Sequence, residues 1–239
     1  MFRALHFTSG ILCLKSLHQH SVAKRKLERF AENKTFRHLF QPDFNELQSG
    51  FSQKGNWNAF FGNTHPVILE LGCGKGEYTT ALAARYPQNN YIGVDIKGAR
   101  LWRGAKTAQE NNYANVAFLR MRIDMILKAF ADQEVSGIWI TFPDPQPQKA
   151  RKRLTSPMFL DRYRQILKPG SIIHLKTDNL VFFEYTLETI QAQGLELLMH
   201  TFDLYNSGLQ EDVMLTQTHY EKIFLAEGIP IKYLRFRIS

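Results

Sequence analysis

From Val67 onward, short apolar runs alternate with stretches in which apolar residues recur at helical spacing. The apolar runs begin at Val67, Tyr91, Val116, Gly137, Ser171, Leu195 and Lys232. Parallel strands need crossover connections, which are usually helices, so this alternation predicts an α/β fold with a doubly wound, mostly parallel sheet of about seven strands. At 239 residues, the chain is long enough for one such domain with short additions.

The N-terminal part of the chain does not follow this alternation. Residues 1–22 contain an interrupted apolar run that is too short to cross a bilayer, and we expect them to form a disordered leader. Residues 23–60 begin with a basic run and a short helical pattern, which predicts a basic N-terminal helical extension. We expect the main domain over residues 61–239, with no membrane span.

Basic residues outnumber acidic ones, with 30 Lys and Arg against 22 Asp and Glu and a formal net charge of +8. Such an excess favours a polyanionic partner such as nucleic acid. The candidate phosphate contacts lie in two basic runs and are Lys24, Arg25, Lys26, Arg151, Lys152 and Arg153. Either run could instead be solvated surface, as most charged runs are. Two cysteines without paired spacing predict neither a zinc site nor a disulfide framework, and we expect no metal.

The first predicted strand leads into a glycine-rich turn, Glu70-Leu71-Gly72-Cys73-Gly74-Lys75-Gly76. Glycines let the backbone bend sharply and let a ligand approach it closely. A dinucleotide-binding loop has glycine at its first, third and sixth positions, but the sixth position from Gly72 is Glu77, an anion where a phosphate would lie. This departure counts against NAD or FAD. Together with Glu70, it favours a cationic ligand without phosphate, such as S-adenosylmethionine.

Two aspartates follow later strands of the predicted sheet. Asp95 ends the second strand, where a carboxylate can accept both hydroxyls of a ribose, although it could instead cap the next helix. Asp144 lies between Pro143 and Pro145 after the fourth strand, in a loop that the prolines stiffen. The alternative for Asp144 is an ordinary polar turn. Ligands of such sheets bind beyond the carboxyl ends of the strands, so both aspartates are candidate site residues.

These motifs together resemble the bacterial tRNA (guanine-N7)-methyltransferase family, a class I methyltransferase group. The matching stretches, in the family's order, are Glu70–Glu77, Gly93–Lys97, Phe142–Pro145, His174–Asn179 and Thr218–Glu221. The resemblance implies a Rossmann-like fold, S-adenosyl-L-methionine as cofactor and a cytoplasmic enzyme. It also implies tRNA as substrate, methylated at N7 of guanine 46 in the variable loop.

The resemblance further implies roles for individual residues. Glu70 and Asp95 correspond to cofactor contacts on the methionine and ribose sides, and Asp144 to the catalytic aspartate. The full cofactor set is Glu70, Gly72, Gly74, Gly76, Asp95, Arg122, Asp124 and Asp144. The full substrate set is Gln148, Lys149, Asp178, Thr218, Tyr220 and Glu221. Glu221 could instead only cap a helix.

The sequence departs from the family at two places. Gln146 and Gln148 stand where the family often has tryptophan and lysine, so a lysine contact would pass to Lys149. Arg122 occupies the usual position of an aspartate near the adenine, with Asp124 two residues further on, and the adenine contact is open between the two.

N7 of guanine has a lone pair and no proton, so its attack on a methyl group requires no general base. We therefore interpret Asp144 as an orienting and electrostatic group. A methyltransferase acting on another RNA or a small molecule is one alternative, although a small-molecule enzyme would not need the basic run after Asp144. A non-catalytic RNA-binding subunit is another, although it would not need the cofactor motifs. A monomer and a homodimer are equally compatible with the sequence.

Overall fold

The computed structural model describes residues 27–209 and 212–238. Eight strands lie within them: β1 Leu39–Phe40, β2 Val67–Leu71, β3 Asn90–Asp95, β4 Val116–Arg120, β5 Val135–Thr141, β6 Leu167–Thr177, β7 Glu196–Thr201 and β8 Lys232–Arg237. They form one sheet in the order β1-β4-β3-β2-β5-β6-β8-β7. The first six strands pair in parallel, and β8 is antiparallel to both β6 and β7. The predicted doubly wound, mostly parallel sheet is confirmed.

Helices connect most of the strands. Residues 27–33 are helical (α1), followed by α2 Phe44–Ser49, α3 Trp57–Phe61, α4 Glu77–Arg85, α5 Gly98–Glu110, α6 Pro157–Ile166, α7 Leu180–Ala192 and α8 His219–Ala226. The strand order reverses at β2, since β3 lies on one side of it and β5 on the other. A cleft therefore forms at the carboxyl ends of these three strands. None of the helices in the described ranges is long and apolar enough to cross a membrane.

The segment before β2 packs into the same core as the sheet. Trp57 is fully buried, stacks on Phe130 at 5.6 Å between ring centroids, and donates from its indole nitrogen to the carbonyl of Ala129 at 3.1 Å. The buried amide of Asn33 donates to the carbonyl of Gly98 at 2.9 Å. The predicted helix near the N-terminus is confirmed, and the predicted boundary at residue 60 does not coincide with a break in packing.

The described residues form eight strands, in agreement with the expected number of about seven. The additional strand, β1, consists of two residues that pair with Phe118 and Leu119 of β4 at the sheet edge. A two-residue segment has no period that a hydrophobic pattern can show, so only its tertiary partner identifies it as a strand.

Candidate active site

A cavity of about 590 Å³ opens at the carboxyl ends of β3, β4 and β5. This volume is within the range of roughly 300–1,000 Å³ that is usual for small-molecule sites, and it lies beside the point where the strand order reverses. Seven sequence-predicted site residues line it: Gly72, Asp95, Arg122, Asp124, Asp144, Arg151 and Lys152. The fold thus brings together residues from four separate loops of the chain.

Asp95 links the glycine turn to the start of α5. One carboxylate oxygen accepts from the backbone amide of Gly74 at 3.0 Å, and the other accepts from that of Lys97 at 2.7 Å. The side chain is almost fully buried, yet Asp95 still lines the cavity. A carboxylate has about four acceptor positions, so two amide bonds leave capacity for ligand hydroxyls. The predicted cap-like contact and a ligand contact are therefore compatible.

Glu70 is not among the residues that line the cavity, and its side chain joins three elements. Its carboxylate accepts from the backbone amide of Thr79 at 2.8 Å, from the Thr79 hydroxyl, and from the Thr141 hydroxyl at 2.5 Å. Only 4% of the residue is exposed, and this burial raises the pKa of its carboxyl to about 7. In this structure Glu70 ties β2, α4 and β5 together. Its contact with a cofactor stays a prediction.

Gly76, at the end of the glycine turn, is required by packing. It precedes α4 with a left-handed φ of +68°, and a Cβ atom there would lie 2.5 Å from Cε1 of Phe118 and 3.2 Å from the Cα of Gly104. Gly74 has φ of +56° with open space around it, and its amide serves Asp95. Neither glycine lines the cavity, so their predicted cofactor contacts also stay predictions.

We expect Gly76→Ala to lower the free energy of unfolding by about 2 kcal/mol. Alanine must adopt a left-handed backbone conformation there, and its methyl group must also displace the Phe118 ring. Urea unfolding measures the loss. Gly62→Ala is the matched control, since Gly62 has a similar φ of +69° and a Cβ atom there would have no other atom within 4 Å. Equal losses in the two variants would show that Phe118 packing does not matter.

Asp144 is presented to the cavity by a loop with an unusual backbone. Phe142 and Gln146 both have left-handed φ values of +46°, a conformation that costs non-glycine residues about 1–3 kcal/mol unless the surroundings hold it. The Phe142 amide donates to the carbonyl of Lys176 at 2.8 Å, and the Gln146 amide donates to Asp144 at 3.0 Å. The loop is thus anchored to β6 at its first residue and closed by its own turn at Gln146, and the exposed Asp144 carboxylate lines the cavity.

Arg122 and Asp124 form an ion pair on the cavity wall, with a nitrogen–oxygen distance of 2.5 Å. The hydrogen bond from Arg122 holds the pKa of the Asp124 carboxyl below its usual range. The two residues therefore present one paired group, and the structure leaves the adenine contact open between them.

The second basic run divides between the cavity and the protein interior. Arg151 and Lys152 line the cavity, but Arg153 is only 6% exposed. Its Nε donates to the carbonyl of Pro145 at 3.1 Å, and its guanidinium carbon lies 4.4 Å from the Tyr185 ring centroid. Arg153 is therefore largely buried and supports the Asp144 loop in this structure, and its predicted phosphate contact stays a prediction. Lys24, Arg25 and Lys26 lie outside the described residues.

Three cavity cations were not predicted from sequence. Lys97 and Arg100 follow Asp95 at the start of α5, and Arg162 lies on α6. The lining therefore contains six Lys and Arg side chains against three Asp. Lys97 and Arg100 could have been predicted, because they come directly after the end of a strand. Arg162 could not, because its position at the cavity depends on how α6 packs.

The predicted substrate residues follow β5 or β6, and none of them lines the cavity. Asp178 is partly buried, and its carbonyl accepts from Lys232 at 2.9 Å. Tyr220, at the start of α8, is 47% exposed. Gln148 and Lys149 are exposed in the loop after Asp144. These four side chains are available at the surface, and their contacts with a substrate stay predictions.

Thr218 and Glu221 cap α8. The Glu221 amide donates to the Thr218 hydroxyl and the Thr218 amide donates to the Glu221 carboxylate, each at 3.2 Å. Glu221 is 0% exposed and forms an ion pair with Lys176 at 2.6 Å. Glu221 thus caps α8 and is buried against Lys176 in this structure, and its contact with the substrate stays a prediction. Thr218 is nearly buried and has its hydroxyl at the helix start.

In residues 27–209 and 212–238, no three His, Cys, Asp or Glu side chains are grouped so that they could hold a metal ion. The titratable groups of the cavity are instead Asp, Lys and Arg. The site thus offers fixed carboxylates, cations and backbone amides, which suit binding, orientation and electrostatic stabilisation.

The chain is similar to known methyltransferases over most of its length. A family described as "Putative methyltransferase" matches residues 64–234. A tRNA (guanine-N(7)-)-methyltransferase of Bacteroides thetaiotaomicron is 48% identical over 219 residues, covering 91% of this chain and 87% of its own length. A tRNA (guanine-N(7)-)-methyltransferase of Christiangramia forsetii is 50% identical over 222 residues, covering 91% of this chain and 99% of its own length. Among solved structures, the 16S rRNA methyltransferase KamB superposes with a TM-score of 0.60 at 16% identity, covering 77% of this chain and 93% of its own, which supports the fold.

Proposed function

The chain belongs to the tRNA (guanine-N(7)-)-methyltransferase family, and from this premise we propose that it transfers a methyl group from S-adenosyl-L-methionine to N7 of a guanine in tRNA. The observation that carries the proposal is the Asp144 carboxylate, held by a fixed loop in a cavity surrounded by basic side chains. We further propose guanine 46 of the variable loop as the acceptor and the cytoplasm as the site of action.

The cavity suits a cofactor that has a nucleoside and no phosphate. The start of α4, where a phosphate would bind, is occupied by the Glu77 carboxylate, which accepts from the His219 amide at 2.7 Å. Gly72 lets a ligand approach the backbone, and Asp95 can accept ribose hydroxyls. Apolar side chains such as Met121 and Phe159 complete the lining. When bound, S-adenosyl-L-methionine supplies an electrophilic methyl group.

Asp144 is proposed to act on the guanine without accepting a proton from N7. Its carboxylate can accept hydrogen bonds from N–H groups of the base and can stabilise the positive charge that methylation places on the purine. The fixed loop keeps this carboxylate in one position before the substrate arrives, so little reorganisation is needed during the reaction. Orientation and charge stabilisation are therefore the two contributions assigned to Asp144.

Cations on two sides of β2 are proposed to bind the RNA backbone. Lys97 and Arg100 follow β3, and Arg151 and Lys152 follow β5, so they approach the cavity from opposite directions. None of the four forms an ion pair with another described residue. Contacts of this kind give affinity and orientation, while an exposed, unstacked guanine would provide the selectivity.

Replacing Lys97 and Arg100 together with alanine is expected to lower the salt dependence of tRNA binding. If each contacts one phosphate, the slope of log K against log salt becomes shallower by about 1.4–1.8. Filter binding across a salt series measures this slope. Lys168→Ala with Arg237→Ala is the control, because both residues are exposed at the opposite end of β6 and β8. An unchanged slope in the Lys97/Arg100 variant would exclude these phosphate contacts.

The proposed function is tested by incubating the protein with labelled S-adenosyl-L-methionine and unmodified tRNA, followed by nucleoside identification. We expect N7-methylguanosine, and we expect it to disappear when guanine 46 is replaced by adenine. Methylation that persists in that tRNA would reject guanine 46 alone. Equal turnover of free guanosine, or absence of transfer to tRNA, would reject the tRNA function.

A further inference from the structure

Lys176 of β6 holds two parts of the protein that lie at the candidate active site. Its backbone carbonyl accepts from the amide of Phe142, the first residue of the Asp144 loop, at 2.8 Å. Its ammonium group is 2.6 Å from Glu221 and donates to the carbonyls of Val213 and Thr216 at 3.0 and 3.1 Å. All three donors of the ammonium group are therefore engaged, and the side chain is 0% exposed.

The side-chain contacts of Lys176 fix the segment 213–218, which leads into α8. Arg85 of α4 supports the same segment by donating to the hydroxyl of Thr216 at 3.2 Å. Lys176 is thus the point at which this segment is joined to the central sheet.

The start of α8 is in turn placed between the two loops of the site. The His219 amide donates to Glu77, the residue directly after the glycine turn. Phe224 of α8 packs against Phe142 of the Asp144 loop, with 5.9 Å between ring centroids. Phe142 and Phe224 are therefore both positioned by Lys176. Its backbone carbonyl binds the Phe142 amide, and its side chain holds the segment that leads into α8, which contains Phe224.

Stability alone does not account for a buried charge at this position. Taking an ammonium and a carboxylate out of water costs several kcal/mol per ion, and apolar pairs of similar volume are often as stable or more so. The burial also lowers the pKa of Lys176, with the Glu221 carboxylate opposing that shift. The ion pair instead specifies the conformation of the segment 213–218, because an ammonium group with three fixed acceptors allows only one arrangement of that segment.

We propose that Lys176 is a positioning residue that aligns the start of α8, with Thr218 and Tyr220, against the Asp144 loop for RNA recognition. It touches neither cofactor nor substrate and acts through Glu221 and the segment 213–218. The inference rests on the proposed function, because tRNA is the substrate that the aligned surface would meet.

The test uses a double variant, Lys176→Met with Glu221→Gln, in the full chain. The single Lys176→Met change leaves a buried carboxylate unpaired and is expected to unfold much of the protein. Glutamine at 221 can still accept from the Thr218 amide and so cap α8, while its NH2 group donates to the hydroxyl of Tyr205, which donates to Glu221 at 2.7 Å in the parent. Arg237→Met with Glu196→Gln removes a surface ion pair at the edge of the sheet and is the matched control.

The double variant is expected to stay folded, with a urea midpoint below the parent's because the carbonyls of Val213 and Thr216 lose their donor, and to bind S-adenosyl-L-homocysteine within about threefold of the parent. Its kcat/KM for tRNA is expected to fall about 10- to 100-fold, mainly through KM, since small displacements of positioning groups have effects of this size. Amide hydrogen exchange in residues 213–218 is expected to accelerate. The control should change none of these quantities.

Parent-like kcat/KM for tRNA or unchanged exchange in residues 213–218 would overturn the proposal. An equal loss of S-adenosyl-L-homocysteine affinity would also overturn it, because the defect would then be general. Failure of the proposed function would instead be seen in the parent protein, as absence of N7-methylguanosine. The two failures are therefore distinguishable.

Discussion

Asp144→Ala is expected to reduce kcat for methyl transfer to tRNA by about 100- to 1000-fold, the usual effect of removing a preorganised electrostatic group from an active site. The carboxylate lines the cavity and is held by the Gln146 amide in a loop fixed at Phe142. Without it, the base loses an acceptor for its N–H groups and the cationic product loses a neighbouring negative charge. Single-turnover rates at saturating tRNA measure the effect separately from binding.

Asp144→Asn separates charge from shape in the same experiment. Asparagine can still accept from the Gln146 amide, so the loop should keep its conformation while the negative charge is lost. We expect it to retain more activity than the alanine variant but to remain well below the parent. Asp132→Ala changes an exposed aspartate outside the cavity lining and should have the parent's rate. A parent-like rate in Asp144→Ala would remove Asp144 from the mechanism.

Glu70 is expected to make the unliganded protein less stable as the pH rises from 4.5 to about 7. The ordinary pKa of 4.5 applies to the unfolded chain, whereas burial raises the folded value to about 7. Between these values the folded state binds more protons than the unfolded state, so the free energy of unfolding falls with increasing pH. The difference corresponds to about 3 kcal/mol, fully lost above pH 7.

Glu70→Gln tests this effect because a neutral amide cannot titrate. Relative to the parent, the variant should gain about 3 kcal/mol of unfolding free energy between pH 4.5 and 7.5. Urea unfolding across this pH range measures the difference, and other titrating groups cancel in the comparison. Glu184→Gln, at an exposed carboxyl on α7, is the control and should run parallel to the parent. A parallel curve for Glu70→Gln would contradict the assignment.

Much of the fold was predictable because it depends on local patterns. The runs at Val67, Tyr91, Val116 and Gly137 correspond to β2–β5, since buried parallel strands read as continuous apolar segments. The same regularity located part of the site, because ligands bind at the carboxyl ends of such strands. Asp95 and Asp144 were identified in this way, and both line the cavity. The edge strand β1 was missed because two residues contain no period.

The sequence by itself determined the α/β class, the strand ends and the family, since these follow from periodicity and from motifs of neighbouring residues. Only the tertiary structure decided which charged side chains face the cavity and which are buried. Arg153 differs from Arg151 in its contact with Tyr185, and Glu221 is joined to Lys176 of a distant strand. The identity of a charged residue does not show whether its side chain is hydrated at the surface or paired in the interior. Its environment therefore depends on contacts between segments that are far apart in the chain.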